Sequence, residues 1–377
     1  LQTAPPPDHN SLVRVLVLSD HATDEGRRDR LRAVAGLGVD VIVATPGGTA
    51  GSDGAIRLAP VPVKGNPADP RELRWQAGTI RRLLTETRPT LVHLEAEPES
   101  PLAATTAAVC RKLGVPFVLF SWRSRPTALG FFARRRARRV LGQAAGVLGG
   151  NRVAMDLLHE HAPQALAAAI PPRGVSLPPS VSRPEREQLV VGYAGRLTPE
   201  RGPDLLIAAL GKTYGRWQAV IAGTGPEQES LEREIQRLGL ASRIRWLGGI
   251  RTETLETLWQ EIDCLVVPSR DTADWVDHQA PLLLEAMGRG IPAVVTRAGA
   301  LPELVGEAGM VVDGAEDLAT ALQGWVTDPT RCRAAGAMAR QWTLERYVTS
   351  VVAGRTLAFW QATAEHLDPS LAHAPQE

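Results

Sequence analysis

The stretch Leu189-Val-Val-Gly-Tyr-Ala-Gly-Arg-Leu-Thr-Pro-Glu-Arg-Gly-Pro-Asp-Leu-Leu-Ile-Ala-Ala-Leu-Gly211 decides how this chain folds. An apolar, β-branched run at 189–194 leads into a loop with glycine at both ends, then into a helix-length segment at 203–211. A continuous apolar run of this length marks a strand buried on both faces, as in a parallel sheet. The unit recurs downstream. Strand-like runs at 217–222, 243–247, 264–267, 292–296 and 310–312 alternate with helical stretches at 227–238, 253–261 and 282–289. The same alternation precedes it, with strands at 13–19, 39–44, 90–94, 116–120 and 145–149 and helical patterns at 24–36, 71–86 and 102–113. Strands alternating with helices imply a parallel sheet covered on both sides.

The proline-rich segment Pro171-Pro-Arg-Gly-Val-Ser-Leu-Pro-Pro-Ser-Val-Ser-Arg-Pro184 separates the two series and suits extended, exposed backbone. The expected organisation is α/β: two Rossmann-like, doubly wound parallel-sheet domains at 1–172 and 189–345, a hinge at 173–188, and a closing helix with a tail at 346–377. The stretch 342–366 reads as one long helix that either packs locally or crosses back to the first domain.

A length of 377 residues suits two domains, and 44% hydrophobic with 22% charged residues is ordinary for a globular protein. With 42 basic against 41 acidic side chains, nothing favours nucleic acid as a partner. Lysine occurs only at 64, 112 and 212, so arginine carries the positive charge. Cys110, Cys264 and Cys332 are dispersed, which argues against a disulfide framework or a zinc site and for the cytoplasm. The opening Leu1-Gln-Thr-Ala-Pro-Pro-Pro-Asp8 reads as a flexible tail, not a signal peptide, and no apolar run is long enough to span a bilayer.

Ligands of doubly wound sheets bind beyond the carboxyl ends of the strands. Three loops there carry unusual residues. Gly195-Arg196-Leu-Thr-Pro-Glu-Arg201-Gly202 offers two guanidinium forks suited to a diphosphate; a plain strand-to-helix turn with solvated arginines is an equal reading. Gly223-Thr-Gly225 is weaker, and a tight turn explains it better; no dinucleotide fingerprint is present. In the third, Asp277 and Glu285 flank a turn into the apolar helix start Leu282-Leu-Leu-Glu-Ala-Met287. A carboxylate so embedded needs a partner, either ribose hydroxyls or a salt bridge.

Taken in order, Gly195-Arg196, Arg201-Gly202, Ala222-Gly-Thr-Gly-Pro226, Ile244-Arg-Trp-Leu-Gly248, Asp263-Cys-Leu-Val-Val-Pro-Ser269 and Glu285-Ala-Met-Gly-Arg-Gly-Ile-Pro292 resemble the donor half of retaining GT-B glycosyltransferases of family 4. The resemblance implies two domains facing a central cleft, a UDP- or GDP-sugar donor and no metal, since no D-x-D acid pair is present. It implies that Arg196 and Arg201, the latter where the family usually has lysine, bind the diphosphate. Glu285 would take the ribose hydroxyls, and Asp277, one methylene shorter than the usual acid, would read the transferred sugar. Gly195, Gly223, Gly225, Leu247, Gln279 and Ala280 would line the donor. Gln279-Ala280 stands where the family often has Phe-Gly, and the following Pro281 has no N–H to offer a phosphate.

The first domain says less. Glu95 is the candidate to orient or deprotonate the acceptor, with His21, His93, Glu97, Trp122, Arg123 and, from the second domain, Trp275 as further acceptor-side or sugar-pocket candidates; each is equally a polar or aromatic residue at a strand end. The run Phe131-Phe-Ala-Arg-Arg-Arg-Ala-Arg-Arg139 is usually a solvated helix face, and docking on an anionic membrane or acidic acceptor is the less favoured reading. The resulting expectation is a cytoplasmic glycosyltransferase acting on a small molecule such as an antibiotic intermediate. The rivals are a nucleotide-sugar epimerase, a lipid- or envelope-directed transferase at a membrane surface, and a non-catalytic binding protein. A pyridoxal-dependent phosphorylase is disfavoured because no lysine lies in the motif loops.

Overall fold

The computed structural model describes residues 13–19, 28–65, 74–126, 128–176, 180 and 186–367. Two compact units result, one from the described residues of Leu1–Gly174 and Thr349–Glu377, the other from those of Val175–Val348.

In chain order the first unit contains β1 (Arg14–Ser19), α1 (Asp29–Ala35), β2 (Asp40–Pro46), β3 (Gly51–Asp53), β4 (Ile56–Val61), α2 (Ala77–Thr87), β5 (Leu91–Glu95) and α3 (Pro101–Leu113). It continues with β6 (Phe117–Ser121), α4 (Phe131–Leu141), β7 (Gly146–Gly149), α5 (Arg152–His159) and β8 (Leu166–Ala169). The strands form one sheet in the order β3-β4-β2-β1-β5-β6-β7-β8, parallel except for β3, which pairs antiparallel with β4. Alternate residues of β1 serve the two faces: Leu16 and Leu18 pack with α2 to α4, Val15 and Val17 with α1.

The second unit contains β9 (Leu189–Ala194), α6 (Pro203–Leu210), β10 (Trp217–Ala222), α7 (Gln228–Arg237), β11 (Ile244–Gly248), α8 (Thr252–Glu261) and β12 (Cys264–Val267). It ends with α9 (Pro281–Gly288), β13 (Ala293–Thr296), α10 (Leu301–Val305), β14 (Met310–Val312), α11 (Ala315–Thr327) and α12 (Pro329–Arg346). Its sheet is parallel throughout, ordered β11-β10-β9-β12-β13-β14. The order reverses between β9 and β12, the point where such sheets bind ligands.

The long helix read at 342–366 is in fact two. It breaks at Tyr347 and Val348, where Val175 N–H donates to the Tyr347 carbonyl at 2.8 Å and Val348 bridges to Val175. The second helix, α13 (Thr349–Leu367), packs in the first unit, with Trp360 fully buried beside Val15, Val17 and Leu148. Gly146 admits it, since a Cβ there would lie 2.9 Å from the Phe359 ring. Strands β3, β4 and β8 escaped the sequence reading because Gly51-Ser-Asp53 is short and polar, Ile56-Arg-Leu-Ala-Pro-Val61 contains a proline and Leu166-Ala-Ala-Ala169 has no β-branched residue. The tail, His21 and half of the expected hinge lie outside the described residues.

Candidate functional site

The loops after β9 and β12 meet at the switch point of the second unit. Asp277 is 4% exposed, and its Oδ2 accepts from Arg201 Nη1 at 2.8 Å and from Ser269 Oγ at 2.9 Å. Ser269 is held in turn by Thr296, whose hydroxyl donates to its carbonyl. The Arg201 guanidinium lies 4.6 Å from the centre of the Trp275 ring, so one cation is fixed by an acid and by an aromatic face. The Asp277 carboxylate, expected to read the sugar, is buried and holds Arg201. Trp275 accordingly acts here as a shelf for Arg201. Arg196, on the same loop, is exposed, and no carboxylate pairs with it among the described residues.

The glycines of these loops serve backbone packing. Gly223 has φ 157°, and a Cβ on it would lie 1.9 Å from the Gly195 carbonyl oxygen; on Gly225 it would lie 2.3 Å from that of Leu197. Gly195 leaves room for the Tyr193 hydroxyl, which donates to the Arg196 carbonyl at 2.9 Å. The tight-turn reading of Gly223-Thr-Gly225 therefore describes what the structure shows. Gly223→Ala is expected to destabilise the chain by about 1–3 kcal/mol through overpacking. A lowered Tm without any nucleotide checks this, since clearance for a ligand alone would leave the apo Tm unchanged.

Gly223 N–H donates to the Gly248 carbonyl at 2.7 Å, joining this loop to the end of β11, where Leu247 is half-buried against the core. Ala280 caps α9 with φ 33° and ψ 61°. That left-handed geometry favours glycine and costs an alanine about 1–2 kcal/mol, a physical reason for glycine being usual there. Ala280 is buried and Gln279 half-buried. Glu285 is the paired acid that the sequence left open: its Oε1 accepts from Trp259 Nε1 at 3.1 Å and from Arg289 Nη2 at 2.9 Å.

In the first unit the switch point lies between β1 and β5. Arg30, 0% exposed, donates through Nη2 to Glu95 Oε1 at 2.6 Å and sits 5.0 Å from the Phe120 ring centre. Its Nε and Nη1 are buried without a partner among the described residues. Trp360 Nε1 donates to His93 Nδ1 at 3.2 Å. His93 Nε2 faces both Arg30 Nη2 at 3.3 Å and Glu95 Oε1 at 3.4 Å. Burial, opposed by Glu95, lowers the His93 pKa. Glu95 resists the upward pull of its own burial because His93 and Arg30 stabilise the carboxylate, and its pKa falls to about 2. Both residues are engaged within the unit: Arg30 and His93 hold Glu95 as a carboxylate, and His93 is fully buried.

Glu97 differs. Burial raises its pKa against the opposing effects of Arg123 and Ser121. Ser121 Oγ donates to it at 2.8 Å, and Arg123 Nε lies 3.4 Å away. Arg123 also donates to Glu99 at 2.6 Å, and the Trp122 ring lies 6.2 Å from that of Phe120, tilted by 45°. Sequence reading missed Arg30, Ser121, Ser269, Trp259 and Trp360. Arg30 looks like any arginine of its segment, and Trp360 reaches His93 only through the return of α13.

Residues 179–342 match the family model described as glycosyl transferases group 1, and residues 27–174 that of a glycosyl transferase 4-like domain. Over 167 residues the chain is 34% identical to the GDP-mannose-dependent alpha-(1-6)-phosphatidylinositol monomannoside mannosyltransferase of Mycolicibacterium smegmatis, covering 42% of the chain and 44% of that protein. Over 166 residues it is 31% identical to the D-inositol 3-phosphate glycosyltransferase of Rhodococcus opacus, covering 40% of the chain and 36% of that protein. The matches thus span less than half the length of these curated relatives. The Anabaena protein HepE, crystallised in complex with UDP, shares the fold at a TM-score of 0.67 and 17% identity, over 93% of the chain and 100% of that structure. With each unit matched by a glycosyltransferase model, the chain belongs to the group 1 glycosyltransferases of the GT-B type.

Proposed function

We propose that the chain transfers a sugar from a nucleoside diphosphate to an acceptor hydroxyl, with the diphosphate held at the carboxyl ends of β9 and β12. The observation that carries this is one loop bearing two guanidinium groups, with Arg201 fixed by Asp277 and Trp275 and Arg196 exposed. As the bond from the sugar to the diphosphate breaks, negative charge grows on the leaving phosphate. Cations fixed beforehand stabilise that charge more than they stabilise the bound donor. On this reading the arginines stand where other enzymes use a divalent metal, and transfer retains the anomeric configuration, as the resemblance implies.

Trp259 and Arg289 orient the Glu285 carboxylate through one oxygen, leaving the other for a ribose hydroxyl. Glu97, with its raised pKa, is a better acceptor-side base than Glu95. The named activities of the two relatives make an inositol-type polyol the acceptor class to test first; the antibiotic-intermediate expectation has no observation behind it. GDP appears in one relative's name and UDP in the HepE complex, so both donors enter the test. All three cysteines are buried and none forms a disulfide, in keeping with a cytoplasmic site of action.

The test incubates the full chain with GDP-mannose or UDP-glucose, with and without inositol 3-phosphate or phosphatidylinositol, and follows products by mass spectrometry. Diphosphate release that depends on acceptor and yields a glycosylated product supports the proposal. Conversion of the donor sugar without diphosphate release would assign the chain to an epimerase instead, and no reaction with any pair would count against transfer to this acceptor class.

A further inference from the structure

The helix α4 combines features that the donor site does not use. Its buried side consists of Ala137, Val140 and Leu141, packed on the sheet. At 100° per residue, the opposite side carries Phe131, Phe132, Arg135, Arg138 and Arg139. Phe131 is 73% exposed and Phe132 80%, although aromatic side chains of this size normally bury most of their surface. Their rings pack edge to face, 5.5 Å apart, at the first turn. None of Arg135, Arg138 and Arg139 is paired with a carboxylate among the described residues, and α4 contains no acid.

The surroundings extend this charge. Helices α2, α3 and α4 pack on the same face of the sheet and carry two, two and five basic residues, against the single acid Glu86. A groove of about 320 Å³ between α3 and α4 is floored by alanines and edged by Phe132, Arg111, Arg135 and Arg139. The adjoining groove between α2 and α3 adds Arg81 and Lys112. This positive field is local, since the whole chain has a formal charge of only +1. No helix among the described residues is long and apolar enough to cross a membrane.

We propose that the outer side of α4 docks on an anionic lipid surface, with Phe131 and Phe132 entering the headgroup–acyl boundary and the arginines binding lipid phosphates. The occupant is a bilayer because of this pairing. Arginines alone would suit any polyanion, but two adjacent exposed phenylalanines at one end of a basic helix suit a surface that is charged above and apolar below. The helix lies flat, since from Phe131 to Arg139 it extends about 12 Å along one side. The inference is independent of the transfer reaction.

The test is sedimentation of the full chain with vesicles of phosphatidylcholine alone or mixed equally with phosphatidylglycerol, at low and at 0.5 M salt. Binding to the mixed vesicles, weakened by salt and at least tenfold weaker on pure phosphatidylcholine, is expected. Each arginine near a charged surface contributes about fivefold, so Arg135→Gln with Arg139→Gln is expected to cost roughly 25-fold. Phe131→Ser with Phe132→Ser is expected to abolish the binding that survives high salt. All four side chains are exposed, so an unchanged Tm in both variants shows that folding is intact. No binding to the mixed vesicles, or binding unchanged in either variant, would overturn the proposal. Neither outcome touches the donor site, which nucleotide titration reads separately.

Discussion

Arg30→Met is expected to lower the stability of the chain by about 3–5 kcal/mol, because it leaves the Glu95 carboxylate buried without its cation. For a unit of this size the transition that reports on it should fall by about 6–20 °C. The double variant Arg30→Met with Glu95→Gln should recover much of the loss, since removing both charges also removes the desolvation they cost. Calorimetric Tm values of the wild type, the single variant and the double variant check the cycle. A single variant within a degree of the wild type would mean that the pair contributes nothing. Among the described residues the wild-type arrangement already leaves two guanidinium nitrogens of Arg30 unpartnered, so the pair is not a cheap source of stability. Its effect is to join α1, β5 and, through His93 and Trp360, α13.

The same cluster sets a pH dependence. A carboxylate whose folded pKa is depressed contributes stability above its unfolded pKa and loses it as pH falls toward the folded value. For Glu95 the window runs from about 4.5 down to about 2. His93, kept neutral by burial, acts in the same direction from 6.5 downward, because the unfolded chain takes up its proton first. Stability should therefore fall with acidification, and in the double variant the steep segment below pH 4.5 should flatten.

The second large effect concerns the donor loop. Arg196→Ala is expected to lower kcat/KM by about 10²–10³-fold, the usual cost of removing one donor to transition-state charge. It should move stability by no more than about 0.5 kcal/mol, as for exposed residues without partners. Arg201→Ala should reduce turnover comparably but also destabilise, because Asp277 would remain buried beside Ser269 without a cation. Arg201→Lys should restore more of the stability than of the rate, since an ammonium keeps the charge but not the planar fork that meets Asp277. Kinetics and thermal melts on the three variants separate these cases. Equal kinetic and stability losses at Arg196 would indicate a structural arginine.

The alternation of apolar runs with helical stretches was enough to read both sheets, because buried parallel strands are apolar on both faces. It missed β3, which is short and polar, β4 and β8, where proline and alanine mask the pattern, and the break at Tyr347–Val348, which depends on a bridge to the distant Val175. In the site, the loops were legible because they follow strands directly, but the partners of their residues were not. Asp277 looked like a ligand-reading acid and is bound to Arg201. Glu285 looked embedded and is paired with Trp259 and Arg289. Glu95 and Glu97 looked alike two residues apart, yet Arg30 and His93 hold one at a low pKa while burial raises the other. Such differences come from residues tens to hundreds of positions away, which local spacing does not encode.

The most direct test of the donor assignment is calorimetric titration of the full chain with UDP, GDP, ADP and dTDP, repeated on Arg196→Ala and Glu285→Ala. Binding of one diphosphate, weakened at least tenfold in both variants while both still melt cooperatively as folded chains, is the predicted result. Binding that neither variant weakens, or no binding of any of the four by the folded chain, would contradict a donor site at the carboxyl ends of β9 and β12.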